Sequence, residues 1–77
     1  MLRCVITAEP LERLDPDRHA RLNRTIGDGE IYNRLGMRVE EPLEAALIGS
    51  DQRWIYPIRD GIPQLLSGEA IAAEQLV

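Results

Sequence analysis

Cys4 is the only cysteine in a chain of 77 residues, and that single count removes the two commonest supports of very small domains. One thiol cannot close an intramolecular disulfide. A structural zinc site needs four ligands, usually several Cys or His, and the lone histidine, His19, does not make up the number. A domain of this length buries only about 60% of the surface its unfolded chain exposes. Its stability must then come from packing or from association. The expectation is one compact, metal-free domain over residues 1–77, with no cofactor.

The net charge of −4 argues against direct nucleic-acid binding, which rests on Lys and Arg displacing counterions. Arg13, Arg18, Arg21 and Arg24 recur at helical spacing, but Glu12, Asp15 and Asp17 stand beside them, as on a solvated mixed-charge face. The opening MLRCVIT is too short for the apolar part of a signal peptide, and no apolar run approaches a membrane span. A cytoplasmic location without membrane contact is the expectation, and a free thiol is compatible with a reducing compartment.

Residues 2–7 are partly β-branched and closed by Glu9-Pro10, which predicts a first strand and a turn. Leu14-Asp15-Pro16-Asp17 predicts a helix start: Asp15 caps the free amides, Pro16 suits the first helical position, and Asp17 complements the dipole. The helix is expected to reach about Ile26. Leu14 acts as its staple, Leu22 and Ile26 form its inner face, and Gly27 and Gly29 stop it. Residues 30–40 alternate about Asn33-Arg34-Leu35-Gly36. They predict a hairpin with Gly36 at the positive-φ position and with Ile31, Met37 and Val39 as apolar contacts.

In PLEAALIG, Leu43, Ala46 and Leu47 fit a helical turn, whereas Ala45, Leu47 and Gly49 fit one face of a strand. A strand ending at Ile48 is favoured, because the turn-rich residues 49–52 and the run Trp54-Ile55-Tyr56 complete another hairpin. Pro57 argues against a central strand continuing, and Asp60-Gly61 marks a tight turn before an edge strand over residues 62–66. Ser67 is expected to cap a short C-terminal helix through Glu69, Ala70, Ile71 and Ala73, in spite of Gly68. The fold class is α+β: a small antiparallel sheet of short strands and hairpins with one inserted helix and a short C-terminal helix.

No residue set carries an enzyme reading. Nucleophilic catalysis needs a nucleophile, a base and a group that orients the base, yet His19 lies among charges as a surface histidine. Cys4 between Leu2, Val5 and Ile6 reads as a buried, inert thiol. Glu40 and Glu41 are adjacent, so on a strand they point apart and serve as solvated turn residues. IGDGE lacks the strand-to-helix context and the lysine of a phosphate loop. Trp54 and Tyr56, two apart on one strand, share a face for core or interface packing.

The run Tyr56-Pro57-Ile58-Arg59-Asp60-Gly61-Ile62-Pro63-Gln64-Leu65-Leu66, followed by Glu69, resembles the C-terminal signature of the Trm one-twelve-like methyltransferase-activator family and its short bacterial relatives. Cys4-Val5-Ile6-Thr7-Ala8-Glu9-Pro10-Leu11 is similar to that family's cysteine knuckle followed by proline-leucine. Together these ends cover about a quarter of the chain. Zinc-bearing members place cysteines three apart, but here Thr7 stands in the second position and residues 49–52 contain no thiol. The resemblance therefore implies a degenerate zinc-ribbon-like domain that has lost its metal. Residues 15–39 form a helix-and-hairpin insertion between the family-like ends.

The function implied is that of a non-catalytic subunit that binds and activates an S-adenosylmethionine-dependent methyltransferase of the translation machinery. Tyr56, Ile58, Ile62, Pro63, Leu65 and Leu66 are the expected partner-binding residues, with the edge strand over residues 62–66 adding to the partner's sheet. Two alternatives stay open. One is a self-associating structural domain, a homo-oligomer through the same apolar edge; the other is an RNA-contacting accessory domain built on the arginine stripe.

Overall fold

The computed structural model describes residues 2–76. Helix α1, Pro16–Gly27, starts where its cap predicts: the Asp15 side chain accepts from the Arg18 amide at 2.9 Å and pairs with the Arg18 guanidinium. That guanidinium holds the Asp15 carboxyl below the usual carboxylate range. The helix ends as Asp28 donates to the Arg24 carbonyl at 3.1 Å and Gly29 takes φ 75°, a left-handed value that glycine adopts without cost. Leu22 and Ile26 are its buried face.

His19 and Asn23 latch this helix to the chain entering the sheet. The Leu43 amide donates to Asn23 Oδ1 at 2.8 Å, Asn23 Nδ2 donates to the Leu43 carbonyl at 3.0 Å, and His19 Nε2 lies 2.7 Å from that same carbonyl. His19 is thus half-buried and structural, not the free surface histidine expected from its charged neighbours.

The sheet runs β1 (Leu11–Arg13), β2 (Ala45–Gly49), β3 (Trp54–Arg59), β4 (Ile62–Pro63), all neighbours antiparallel. A fifth strand, β5 (Ile71–Ala72), pairs with the start of β3. The strand reading of residues 45–48 holds. Every residue of β2 is buried, because this sheet is covered on both sides. On one side Ala46, Ile48 and Ile55 meet Leu22, Ile26, Ile31, Val39, Leu43 and Ile71. On the other, Tyr56 and Trp54 meet Cys4, Ile6, Leu11, Leu65 and Ala70.

Four expectations about strands and helices are corrected. Residues 2–7 are not a strand: Leu2 and Arg3 make single contacts with Leu11 and Pro10, and the chain turns at residues 5–7. Pro57 does sit inside central strand β3, opposite Ala46. The Ala46 carbonyl accepts from Leu14 and the Pro57 carbonyl accepts from Gln64, so the polar groups of this pair face away from each other. The missing proline N–H therefore removes nothing from the β2–β3 ladder.

The edge strand is only Ile62–Pro63, where a longer one was expected at residues 62–66. The C-terminal helix is replaced by a 3₁₀ turn, Ser67–Glu69, with no side-chain cap, then β5, then a second 3₁₀ turn, Ala73–Leu76. The reason is a local period of two: Ala70 and Ile71 are both fully buried, but in the two different cores, which successive residues reach only in extended backbone.

The hairpin centred on Gly36 forms, with Gly36 at φ 79°, Asn33 donating to Met37 at 3.0 Å and Val39 to Ile31 at 2.8 Å. Ile31 and Val39 are buried as expected, whereas Met37 is 62% exposed. The whole is a small α+β fold: a curled antiparallel sheet of short strands, one helix and short 3₁₀ turns.

Replacing Asn23 with Ala removes the side chain that bonds the Leu43 amide and leaves a part-buried donor unpaired. Urea unfolding of Asn23→Ala is expected to show a loss of about 1–3 kcal/mol with an unchanged slope. A stability within error of the parent would mean that the latch does not hold the helix to the sheet.

Candidate functional site

Residues 4–9 form a tight knuckle on the face of the sheet opposite the helix. Its loop is closed by two backbone bonds, Cys4 amide to Glu9 carbonyl at 2.8 Å and Ala8 amide to Cys4 carbonyl at 2.9 Å, and Ala8 takes φ 65°. The β2–β3 turn packs beside it. The Ser50 amide donates to the Pro10 carbonyl and Ser50 Oγ to Glu9 Oε2, each at 2.9 Å, and a Cβ on Gly49 would stand 3.9 Å from Cys4 Cβ.

Inside the knuckle, Cys4 Sγ lies 2.9 Å from Tyr56 Oη, with Cys4 2% and Tyr56 0% exposed. Burial pushes the thiol up, but hydrogen bonds from the Thr7 and Tyr56 hydroxyls and from the Thr7 and Ile6 amides outweigh it, and Cys4 ends below its usual value. Tyr56 is pushed up to about 12, first by burial and then by its bond to a Cys4 thiolate. Among the described residues, no group of three or more His, Cys, Asp or Glu is placed to hold a metal ion.

The six expected partner-binding residues separate. Tyr56 is corrected to a core residue, fully enclosed and bonded to Cys4. Ile58 and Pro63 are half-buried opposite each other on β3 and β4, and Leu65 is half-buried against the knuckle core. Only Ile62 and Leu66 stand in solvent, 63% and 68% exposed.

Strand addition at this edge is disfavoured. Gln64 donates inward to Pro57, so Pro63, one residue earlier, turns its peptide groups outward, and proline has no amide to offer a partner strand.

The structure adds two residues not foreseen. Leu35 and Met37 at the hairpin tip are exposed, and the Leu35 side chain rests on Gly68, where a Cβ would come within 2.7 Å of it. Met37 shares a shallow depression with Arg59 and Glu69, and Arg59 is paired with Ile62. Met37 and Ile62 are thereby linked through Arg59, and Leu35 reaches Gly68, two residues beyond Leu66. The signal was present in the sequence as two large apolar residues flanking a turn glycine, where polar residues are usual.

The remaining candidates have structural roles. Glu40 pairs with Arg38 at 3.2 Å and Glu41 is exposed, while Gly29 of IGDGE is the helix stop. Trp54 and Tyr56 share a face as expected, with the Arg34 guanidinium 5.3 Å from the centre of the Trp54 rings.

The fold and its knuckle define a small α+β protein with a sheet covered on both faces. Its architecture is shared with the protein XF2673 of Xylella fastidiosa, known from a solution NMR structure: the two are 34% identical with a TM-score of 0.87 over all of this chain and 79% of that one. The chain belongs to the same family as that Xylella protein. No family model matches the sequence, and no curated protein does.

Two predictions follow from the knuckle. In Gly49→Cys, the 3.9 Å Cβ separation falls within the disulfide range of about 3.5–4.5 Å. The Asp51 carboxylate must swing aside, since its Oδ1 stands 2.8 Å from the new Cβ. Mild oxidation should then consume both thiols and raise stability by up to about 4 kcal/mol; two free thiols after oxidation would refute the contact between knuckle and turn.

The depressed Cys4 makes stability rise with pH up to the unfolded thiol value of 9.0. Tyr56, raised from 10.0 to about 12, is neutral in both states below pH 10. Between those two values the unfolded chain releases a proton that the folded chain keeps, and stability falls by up to about 3 kcal/mol. Urea titrations should therefore peak between pH 9 and 10. Tyr56→Phe should remove the alkaline fall and raise the Cys4 pKa, read from thiolate absorbance; an unmoved thiol would show that the pair is not coupled.

Proposed function

We propose that this chain is a non-catalytic protein-binding module, the partner or activator of an S-adenosylmethionine-dependent methyltransferase acting on the translation machinery. The observation that carries the reading is the set Leu35, Met37, Ile62 and Leu66, four large apolar side chains held in solvent on neighbouring segments. Single exposed apolar residues are ordinary. A group of them drawn from a hairpin tip and a sheet edge favours a docking surface. Because the edge is blunted by Pro63, docking is by side chains and not by strand addition.

The family reading draws support from the knuckle. The loop from Cys4 to Ala8, with positive φ at Ala8, lies against the turn at residues 49–52, which has positive φ at Gln52. These are the two places where the zinc-bearing proteins that the sequence resembles keep their cysteine pairs. Here Thr7 and a thiol-free turn occupy them, and the Cys4–Tyr56 bond and the apolar core beneath it hold the knuckle in place of a metal.

The test uses the tagged native chain as bait in an extract of its own cells, with Ile62→Asp and Leu66→Asp baits whose folding is checked by circular dichroism. Recovery of a methyltransferase by the native bait and its loss with the two folded variants is the expected result. The same partners on all three baits would overturn this face as the docking surface. Recovery of the chain alone would favour self-association through it.

A further inference from the structure

A concave site that Leu66 does not line lies between the first turn of α1, the end of the β2–β3 turn and the last 3₁₀ turn. Its volume is about 350 Å³, within the range of small-molecule sites, roughly 300–1,000 Å³. Trp54, Ala73 and Leu76 supply an apolar floor, and Arg18 and Arg53 a basic wall.

The two arginines differ in their commitments. Arg18 is fixed by Asp15 and donates through Nη1 to Gln52 Oε1 at 2.6 Å. The Arg53 guanidinium has no ion pair or side-chain hydrogen bond among the described residues. Among the described residues, Glu74 is the one carboxylate on the rim, and it makes no ion pair or side-chain hydrogen bond there. On a chain of net charge −4, the uncommitted Arg53 guanidinium, with the Asp15-paired Arg18 beside it and an apolar floor below, marks a place where an anion can dock. The guanidinium fork suits the two oxygens of a carboxylate or phosphate.

We propose that this cavity binds a small organic oxyanion, its phosphate or carboxylate head on Arg53 and Arg18 and its flat or aliphatic body on Trp54, Ala73 and Leu76. Nothing in this site belongs to the Leu35–Leu66 face, so it stands or falls independently of the protein-binding reading. Arg34 lies over the Trp54 ring and helps to keep the floor in place. Glu74 opposes the anion from the rim and sets an upper limit on affinity; removing its charge strengthens binding.

Trp54 is the only tryptophan and lines the site, so its single indole N–H resonance reports on the floor. Phenyl phosphate, benzoate and inorganic phosphate are titrated separately into the labelled full chain while that resonance is followed by NMR. The expected result is a saturable shift with phenyl phosphate or benzoate, a dissociation constant on the order of 1 mM, and inorganic phosphate clearly weaker. The stronger of the two organic probes tells which head group the site prefers. Arg53→Ala, at an exposed position, should weaken binding about tenfold, and Glu74→Gln should tighten it. The proposal is overturned by a resonance unmoved by either organic probe, by equal binding in Arg53→Ala, or by inorganic phosphate binding as well as phenyl phosphate.

Discussion

The β2–β3 hairpin is buried on both faces, and the rest of the chain is arranged around that constraint. A sheet of so few, short strands cannot leave one face in water and still bury enough apolar surface to stand without a disulfide or a metal. Helix α1 and the hairpin centred on Gly36 cover one face; the N-terminal knuckle and the segment from Leu65 to Ala70 cover the other. The chain crosses from one core to the other between Ala70 and Ile71, and that crossing makes the C-terminal segment extended where its composition favours a helix.

The knuckle is held by hydrogen bonds among its own buried groups. Its polar interior holds one thiol, one tyrosine hydroxyl and several backbone amides, and these groups bond one another. A buried thiol and phenol without such partners would cost stability. Satisfied, they tie the N-terminus to the centre of β3 across 52 positions of sequence. Tyr56 is therefore unavailable to a partner, and the most exposed large apolar side chains stand at the hairpin tip and the blunted edge.

Much of the local structure was legible in the sequence. Asp15-Pro16 marks the helix start because a capping carboxylate and a proline suit the first turn whatever the surroundings. Gly36 marks a turn because few other residues tolerate its φ, and the strand reading of residues 45–48 follows from the hairpin that the next residues complete. Less was legible of the candidate site. The apolar run from Ile62 to Leu66 was visible, but which of its members face outward depends on the register of β4 against Ile58 and Arg59. Leu35 and Met37 flank a turn glycine, where polar residues are usual, but whether such side chains pack inward or stand in solvent depends on what the hairpin covers.

By itself, the sequence determined the absence of a disulfide and of a four-thiol metal site, the helix with its cap, and the turns at Gly29, Gly36 and Gly61, because these depend on residue type and on a few neighbouring dihedral angles. Tertiary structure alone decided that Pro57 could sit in a central strand, that Tyr56 would be spent on Cys4, that His19 and Asn23 would latch the helix to Leu43, and that Arg53 and Trp54 would share a cavity with the C-terminal turn. Each of these joins residues distant in sequence, through a ladder register or a packing contact that no local pattern encodes.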